Sequence, residues 1–163
     1  MDEFRLEAVP LTAERFAPYG DVIETGRGVV AAMNDARFER FDNLAAVNVD
    51  GRVALSIVRC RTPSSLPYRF DMVERHPLGS QAFIPRTPFR FAVVVGPPGE
   101  TVAREDLRAF VTNGRQGINY HRGTWHMPLI AFEREQEFLV VDRAGADNCE
   151  ELVFDEPVLL VAP

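Results

Sequence analysis

The sequence contains no lysine, and all 18 of its basic residues are arginines. This absence excludes two kinds of chemistry. A side-chain amine that forms a Schiff base with a carbonyl substrate is ruled out, and so is a phosphate-binding P-loop, which requires a lysine. The arginines can bind a carboxylate through two parallel hydrogen bonds, but they do not act as bases near neutral pH.

Cysteines and long apolar runs are also scarce. Cys60 and Cys149 lie far apart without the spacing of a metal site, which predicts free thiols in a reducing compartment. No apolar run approaches the ~18 residues of a membrane span. A net charge of −6 argues against nucleic acid as a partner. The acidic N-terminus is unlike a secretory signal, so we expect a cytoplasmic protein that does not enter a membrane.

Most of the chain consists of short segments rich in Val, Ile, Phe and Leu, separated by turns that contain Gly, Pro or Asn. This alternation of short apolar segments and turns predicts an all-β barrel or sandwich, formed by one domain over residues 1–163. The exception is a short N-terminal helix with an N-cap at Thr12 that ends before Pro18. The predicted strands cover residues 53–60, 68–76, 81–84, 89–95, 107–112, 118–122, 129–132, 137–142, 151–154 and 157–161.

All three histidines fall in two polar clusters, one at residues 74–81 and one at residues 119–126. Histidine titrates near neutral pH and is the commonest metal ligand. The clusters belong to predicted strands, so we predict that they meet in one site. The alternative is that the three histidines are unrelated structural residues.

Strand alternation predicts where the first cluster points. Glu74 and His76 share a face with Phe70, and this apolar face should look into the barrel. A buried carboxylate and imidazole are costly unless they are paired with each other or bind a metal. Gln81 lies on the returning strand, where its amide can face the same cavity.

Alternation in the second cluster favours Asn119 and His121 as the inward residues, with Tyr120 pointing the other way. His126 follows a turn and is predicted to enter the site from its rim, although a structural role is equally compatible with its position.

The spacing of Glu74, His76, Gln81 and His121 is close to that of the four ligand positions of cupins, which are small β-barrels. Metal-binding cupins usually carry His, His, Glu and His there. Glu74 and Gln81 depart from this pattern, and an amide is a poor ligand for zinc or iron.

Longer segments of the sequence match a more specific family. The chain resembles the ureidoglycolate lyase family, also called ureidoglycolate hydrolases, at residues 11–23, 74–85, 110–121, 125–129 and 142–149. The resemblance implies a cupin-like β-barrel with a short N-terminal helix. It also implies a cytoplasmic homodimer that cleaves (S)-ureidoglycolate to glyoxylate and urea in allantoin degradation, a branch of purine metabolism. Some members are associated with a divalent metal, often nickel.

Cleavage of ureidoglycolate needs a base for its hydroxyl proton and an acid for the departing nitrogen. Glu74 is expected to act either as an acid with a raised pKa or as the residue that orients a histidine. Competing hypotheses are another metal-dependent cupin enzyme acting on a small polar acid, and a metabolite-sensing cupin module. The predicted residues are Glu74, His76, His121 and His126 for catalysis, Gln81 and Asn119 for substrate binding, and Glu74, His76 and His121 for a metal.

Overall fold

The computed structural model describes residues 3–163, with Val29 described by its backbone alone. Strands dominate this part of the chain, so the all-β prediction is confirmed. The helical elements are α1 (Ala13–Phe16) and a 3₁₀ turn (Arg104–Asp106). The strands are β1 (Phe4–Pro10), β2 (Gly20–Ile23), β3 (Val29–Met33), β4 (Phe38–Asp42), β5 (Val53–Arg59), β6 (Tyr68–Arg75), β7 (Gln81–Pro85), β8 (Phe91–Gly96), β9 (Arg108–Val111), β10 (Gly117–Tyr120), β11 (Trp125–His126), β12 (Ile130–Ala131), β13 (Glu137–Arg143) and β14 (Glu150–Val161).

Six strands form a closed ring in the order β11-β6-β14-β1-β9-β8, which β11 completes by also pairing with β8. Strand β1 runs parallel to both of its neighbours, and the other pairs are antiparallel. A second sheet has the order β2-β10-β7-β13-β5, and β3 and β4 form a separate hairpin. A closed barrel covered by a further sheet is the cupin-like architecture that the sequence predicts.

Two apolar cores hold these layers together. The ring core fills the ring and includes Ala92 and Val94 of β8. The inter-sheet core lies between the ring and the five-stranded sheet and includes Phe91, Val93 and Val95 of the same strand. Strand β8 is therefore buried on both faces, which explains its uninterrupted apolar sequence.

Helix α1 seals one end of the inter-sheet core. The Thr12 side chain accepts a hydrogen bond from the Arg15 N–H, so the predicted N-cap is confirmed. Phe16 is fully buried in the inter-sheet core. Gly20 then allows β2 to approach β10, because a Cβ at this position would lie 2.0 Å from the Asn119 carbonyl oxygen. Among the described residues, no helix has the length and apolar character needed to cross a membrane.

An irregularity between β6 and β14 decides which way the first polar cluster points. Met72 pairs with Val153, but Phe70 pairs with Val158, so the register shifts between these two pairs. As a result Phe70 and Val73 both lie in the ring core although they are three residues apart. The regular alternation that we assumed is broken here.

Glu74 therefore lies on the face opposite Val73, outside the ring and towards the five-stranded sheet. The prediction that Glu74 and His76 continue the face of Phe70 is wrong, because the register shift reverses the phase of the strand before Glu74. The site that they belong to lies between the two sheets.

Candidate active site

Glu74, His76 and His126 come together where the ring meets the second sheet. His126 belongs to β11 and pairs directly with Glu74 of β6, so closure of the ring fixes both residues. The Glu74 Oε1 atom lies 3.6 Å from Nε2 of His126 and 3.9 Å from Nε2 of His76. The two imidazole rings are 5.0 Å apart. One carboxylate thus faces two histidines, as predicted for Glu74 and His76.

Both histidines are oriented by main-chain carbonyls. The Nδ1 atom of His76 lies 2.6 Å from the carbonyl oxygen of Asn148, and Nδ1 of His126 lies 3.0 Å from that of Thr124. A carbonyl oxygen only accepts hydrogen bonds, so Nδ1 carries the proton in each ring. The Nε2 atom of each ring is therefore the one that faces Glu74.

The charges of the cluster follow from its burial. Burial lowers the pKa of His76, and the neighbouring His126 lowers it further, so His76 is a neutral base at neutral pH. The nearby ring of His126 lowers the pKa of Glu74, and this effect outweighs the opposing effect of burial. Glu74 is therefore ionised, and the idea that it has a raised pKa and acts as the acid is not supported.

The cluster opens into a cavity of about 390 Å³ between the two sheets. Tyr120 forms one wall and stacks on His126, with ring centroids 4.2 Å apart and planes inclined by 11°. Phe83 and Phe138 contribute an apolar wall from the five-stranded sheet. This environment excludes water from one side of the cluster and strengthens its electrostatic interactions.

A second, more polar recess of about 280 Å³ adjoins the cavity, and His76 and Gln81 line both. Gln81 donates from Nε2 to the Asp142 carboxylate at 3.0 Å. This bond orients the amide and leaves its oxygen free to accept a hydrogen bond. Gln81 therefore lies at the predicted place, beside His76 and at the junction of the two spaces.

Asn119 and His121 lie on the opposite face of β10. Asn119 is fully buried and donates to the Asp21 carboxylate and to the Ala46 carbonyl, at 3.0 Å each. His121 places Nε2 3.1 Å from the Asp21 carboxylate. Their predicted inward orientation is wrong, because β10 pairs with β7 in a register that turns Tyr120 to the cavity instead.

Sequence reasoning missed several residues of the cavity. Tyr120 was assigned to the wrong face, and nothing in the local sequence marks Arg61, which lines the cavity mouth. Cys149 approaches the cluster from the adjoining loop, with Sγ 3.4 Å from Glu74 Oε2. Burial and the Glu74 charge raise the pKa of this thiol to about 11, so it stays protonated. Both cysteines are free, as predicted.

The donor set of the cluster suits a divalent transition metal. The ligand atoms of Glu74, His76 and His126 all lie within 4.8 Å of one another. Both imidazoles present Nε2 while Nδ1–H is held by a carbonyl, which is the usual arrangement of metal-binding histidines. Imidazole and carboxylate together suit nickel, zinc or iron. His126 thus takes the position that the sequence assigned to His121.

A cupin-like barrel with a histidine–carboxylate cluster in a cavity between its sheets defines a class of small-molecule enzymes. The model of the family described as ureidoglycolate lyase matches residues 3–161. The chain therefore belongs to the ureidoglycolate lyase family.

Individual relatives agree with this assignment. A ureidoglycolate lyase of Pseudomonas syringae pv. syringae is 47% identical over 156 residues, which is 93% of this chain and 91% of the relative. One from Pseudomonas fluorescens strain Pf0-1 is 48% identical over 159 residues, covering 94% and 95% of the two chains. One from Pseudomonas aeruginosa strain LESB58 is 47% identical over 160 residues, covering 95% of each.

Proposed function

We propose that this protein is an enzyme that cleaves (S)-ureidoglycolate to glyoxylate and urea. The observation that carries the proposal is the convergence of Glu74, His76 and His126 in a cavity of a chain that belongs to the ureidoglycolate lyase family. In the reaction the hydroxyl of the substrate loses its proton and becomes the aldehyde of glyoxylate. The bond from this carbon to the ureido nitrogen breaks, and the nitrogen gains a proton and leaves as urea.

The protein's own residues can transfer this proton from the hydroxyl to the nitrogen and end the reaction in the protonation state in which they began. In the metal-free form, the neutral Nε2 of His76 accepts the hydroxyl proton and then delivers it to the departing nitrogen. Glu74, ionised and 3.9 Å away, stabilises the imidazolium that forms in between. His126 holds the carboxylate in place from its other side. The order of these proton transfers is part of the proposal.

Gln81 retains its proposed role in substrate binding, since its amide oxygen can accept from the ureido N–H groups. For Asn119 and His121 we propose a structural role in place of the predicted roles in catalysis and binding. Both interact with Asp21 and join β10 to β2 on the face away from the cavity.

The same three residues could also serve a divalent metal. Glu74, His76 and His126 would hold the ion, which would supply Lewis acidity for the loss of the hydroxyl proton. Nickel is the ion that the resemblance implies.

Metal binding has a direct test. After treatment with a chelator, we expect wild-type protein to bind ~1 equivalent of Ni²⁺ in equilibrium dialysis, because three suitable ligands are preorganised. The His76→Ala/His126→Ala double variant should bind none, and His121→Ala should bind as wild type does. Equal nickel binding by the double variant and the wild type would contradict this ligand set.

The reaction itself is tested with racemic ureidoglycolate and metal-stripped protein. We expect glyoxylate and urea in equal amounts, without ammonia. Readdition of Ni²⁺ then decides whether the cluster acts by proton transfer alone or by holding a metal. Ammonia together with glyoxylate would indicate hydrolysis of the ureido group instead. Absence of turnover with and without metal would favour another metal-dependent cupin enzyme.

The wider setting is also part of the proposal. We infer that residues 1–163 form one domain that acts in the cytoplasm during allantoin degradation, and the two free thiols fit a reducing compartment. We further infer a homodimer in which β5 meets a second copy. Strand β5 is an edge strand of its sheet, and Leu55 and Ile57 on it are 70% and 54% exposed. An open, apolar sheet edge is a template for pairing with another chain.

The dimer is tested by Leu55→Glu, which places a charge in the proposed interface. We expect sedimentation velocity to show a dimer for wild-type protein and a monomer for Leu55→Glu. Val153→Glu is the matched control, because Val153 is 66% exposed on β14, away from β5. A monomeric wild type at micromolar concentration would contradict the dimer, and a dimeric Leu55→Glu would contradict its location.

A further inference from the structure

We infer that Arg61 binds the carboxylate of the substrate and so fixes the direction in which the substrate enters the cavity. This inference rests on the proposed function, because it concerns the substrate of the same site. The carboxylate is the one permanent charge of ureidoglycolate, and the bidentate fork of an arginine is its natural partner.

The need for a cation arises from Glu74. Its carboxyl group lines the same cavity that must receive the carboxylate of the substrate. A substrate carboxylate in a largely apolar cavity that already holds an acidic side chain is costly unless a cation pairs with it. Across the part of the chain that the structure describes, Arg61 is the only cationic side chain besides the histidines that lines this cavity.

Other arginines of the polar clusters are already engaged. Arg75 donates to the Glu150 carboxylate and to the Gly99 carbonyl. Its guanidinium also lies over the ring of Trp125, 5.0 Å from the centroid. Trp125 belongs to the ring core, on the face away from the cavity. Arg75 is therefore unavailable to the substrate.

Arg122 and Arg143 are held by the loops that cover the second sheet. Arg122 donates to the side chains of Asp50 and Asn48 at 2.8 and 2.6 Å. Arg143 donates to the carbonyls of Asp50 and Ala146, at 2.9 Å each. Arg61, by contrast, forms no hydrogen bond or ion pair with another described residue, so its guanidinium is free to bind a ligand.

The segment that carries Arg61 is fixed on both sides. Cys60 exchanges backbone hydrogen bonds with Gln136 and Glu135, at 2.9 Å each, and Ser64 donates to the Ala131 carbonyl at 2.9 Å. The main chain at Arg61 is thus anchored while its side chain is exposed at the cavity mouth. Cys60 and Ser64 line the same cavity.

This placement orients the substrate. With its carboxylate on Arg61, the hydroxyl-bearing carbon enters towards His76. The ureido group then lies nearest Gln81 and the polar recess beyond it. The carboxylate is bound equally before and during bond cleavage, so Arg61 acts on substrate affinity and specificity more than on the chemical step.

The test uses Arg61→Gln, Arg61→Lys and the control Arg134→Gln. Arg134 is exposed and does not line the cavity, so its replacement by glutamine removes the same charge outside the site. The probe is oxamate, a small carboxylate with an amide, titrated calorimetrically against each protein. We expect Arg61→Gln to weaken oxamate binding by ~10- to 100-fold, the effect of losing a charged hydrogen-bonding pair. Arg61→Lys should give an intermediate value, since it restores the charge without the fork, and Arg134→Gln should match wild type.

Oxamate affinity that is undetectable in wild type, or the same in wild type and Arg61→Gln, overturns the inference. Equal losses in Arg61→Gln and Arg134→Gln would also overturn it, because they would indicate a general effect of net charge. Turnover of ureidoglycolate by the same preparations is measured separately. A raised KM with little change in kcat for Arg61→Gln supports the inference, whereas a wild type that binds oxamate but turns over no ureidoglycolate refutes the proposed function alone.

Discussion

Replacement of Glu74 by glutamine is expected to lower kcat/KM for ureidoglycolate by ~10²- to 10⁴-fold, the range typical for loss of a group that assists proton transfer. The variant keeps the size of the side chain but removes the charge that lies between Nε2 of His76 and Nε2 of His126. Without that charge, an imidazolium at His76 is unsupported, and a metal loses its only anionic ligand of the cluster. The effect is therefore expected with and without added metal.

The control is Glu7→Gln, which makes the same change at an exposed position on β1. Glu7→Gln should retain wild-type kcat/KM. Glu74→Gln is also checked for folding by its thermal unfolding temperature, which should fall only slightly, because the same neighbours that lower the pKa of Glu74 make its charge favourable in the folded state. A folded Glu74→Gln with wild-type kcat/KM would remove Glu74 from the mechanism.

His126→Asn is expected to lower kcat by ~10²- to 10⁴-fold, whereas His121→Asn leaves it near the wild-type value. Asparagine can still donate to the Thr124 carbonyl, as Nδ1 of His126 does at 3.0 Å, but it lacks an Nε2 atom. The variant therefore tests that atom while preserving the local hydrogen bond. His121 faces Asp21 on the other side of β10, so the same substitution there leaves the cavity intact.

The pair of variants decides between two assignments of the third site residue. The sequence predicts a catalytic role for both histidines and a metal-ligand role for His121 alone, and the structure favours His126 for both roles. His126 is only 3% exposed and stacks on Tyr120, so folding of His126→Asn is verified by circular dichroism before kinetics. A large loss of kcat in His121→Asn, with His126→Asn near wild type, would restore the original assignment.

Much of the fold could be predicted from local sequence. The apolar strands β8 and β13 and the N-cap at Thr12 follow from composition and short-range hydrogen bonding. Strand β1 was missed although Leu6 and Ala8 alternate with charged residues and face the ring core. Strand β11 has only two residues, and it exists because β6 and β8 pair with it from both sides. Such a strand has no local signal.

The site was predicted less well than the fold, for a similar reason. Glu74, His76 and Gln81 could be grouped because a single strand–turn–strand unit carries them. The face that Glu74 and His76 occupy depends on the shift between Val153 and Val158, which lie on a strand distant in sequence. The orientation of Asn119 likewise depends on its pairing partners in β2 and β7. Alternation gives the period of a strand but not its phase.

The junction of the two spaces at His76 and Gln81 has a consequence for the products. The proposed reaction divides one substrate into an anion, glyoxylate, and a neutral diamide, urea. The site has a matching division, because Arg61 lies at the mouth of the cavity and the polar recess lies on the other side. We therefore expect each product to leave from its own side of this junction. Urea can then dissociate before or after glyoxylate. We expect the two products to be released in random order.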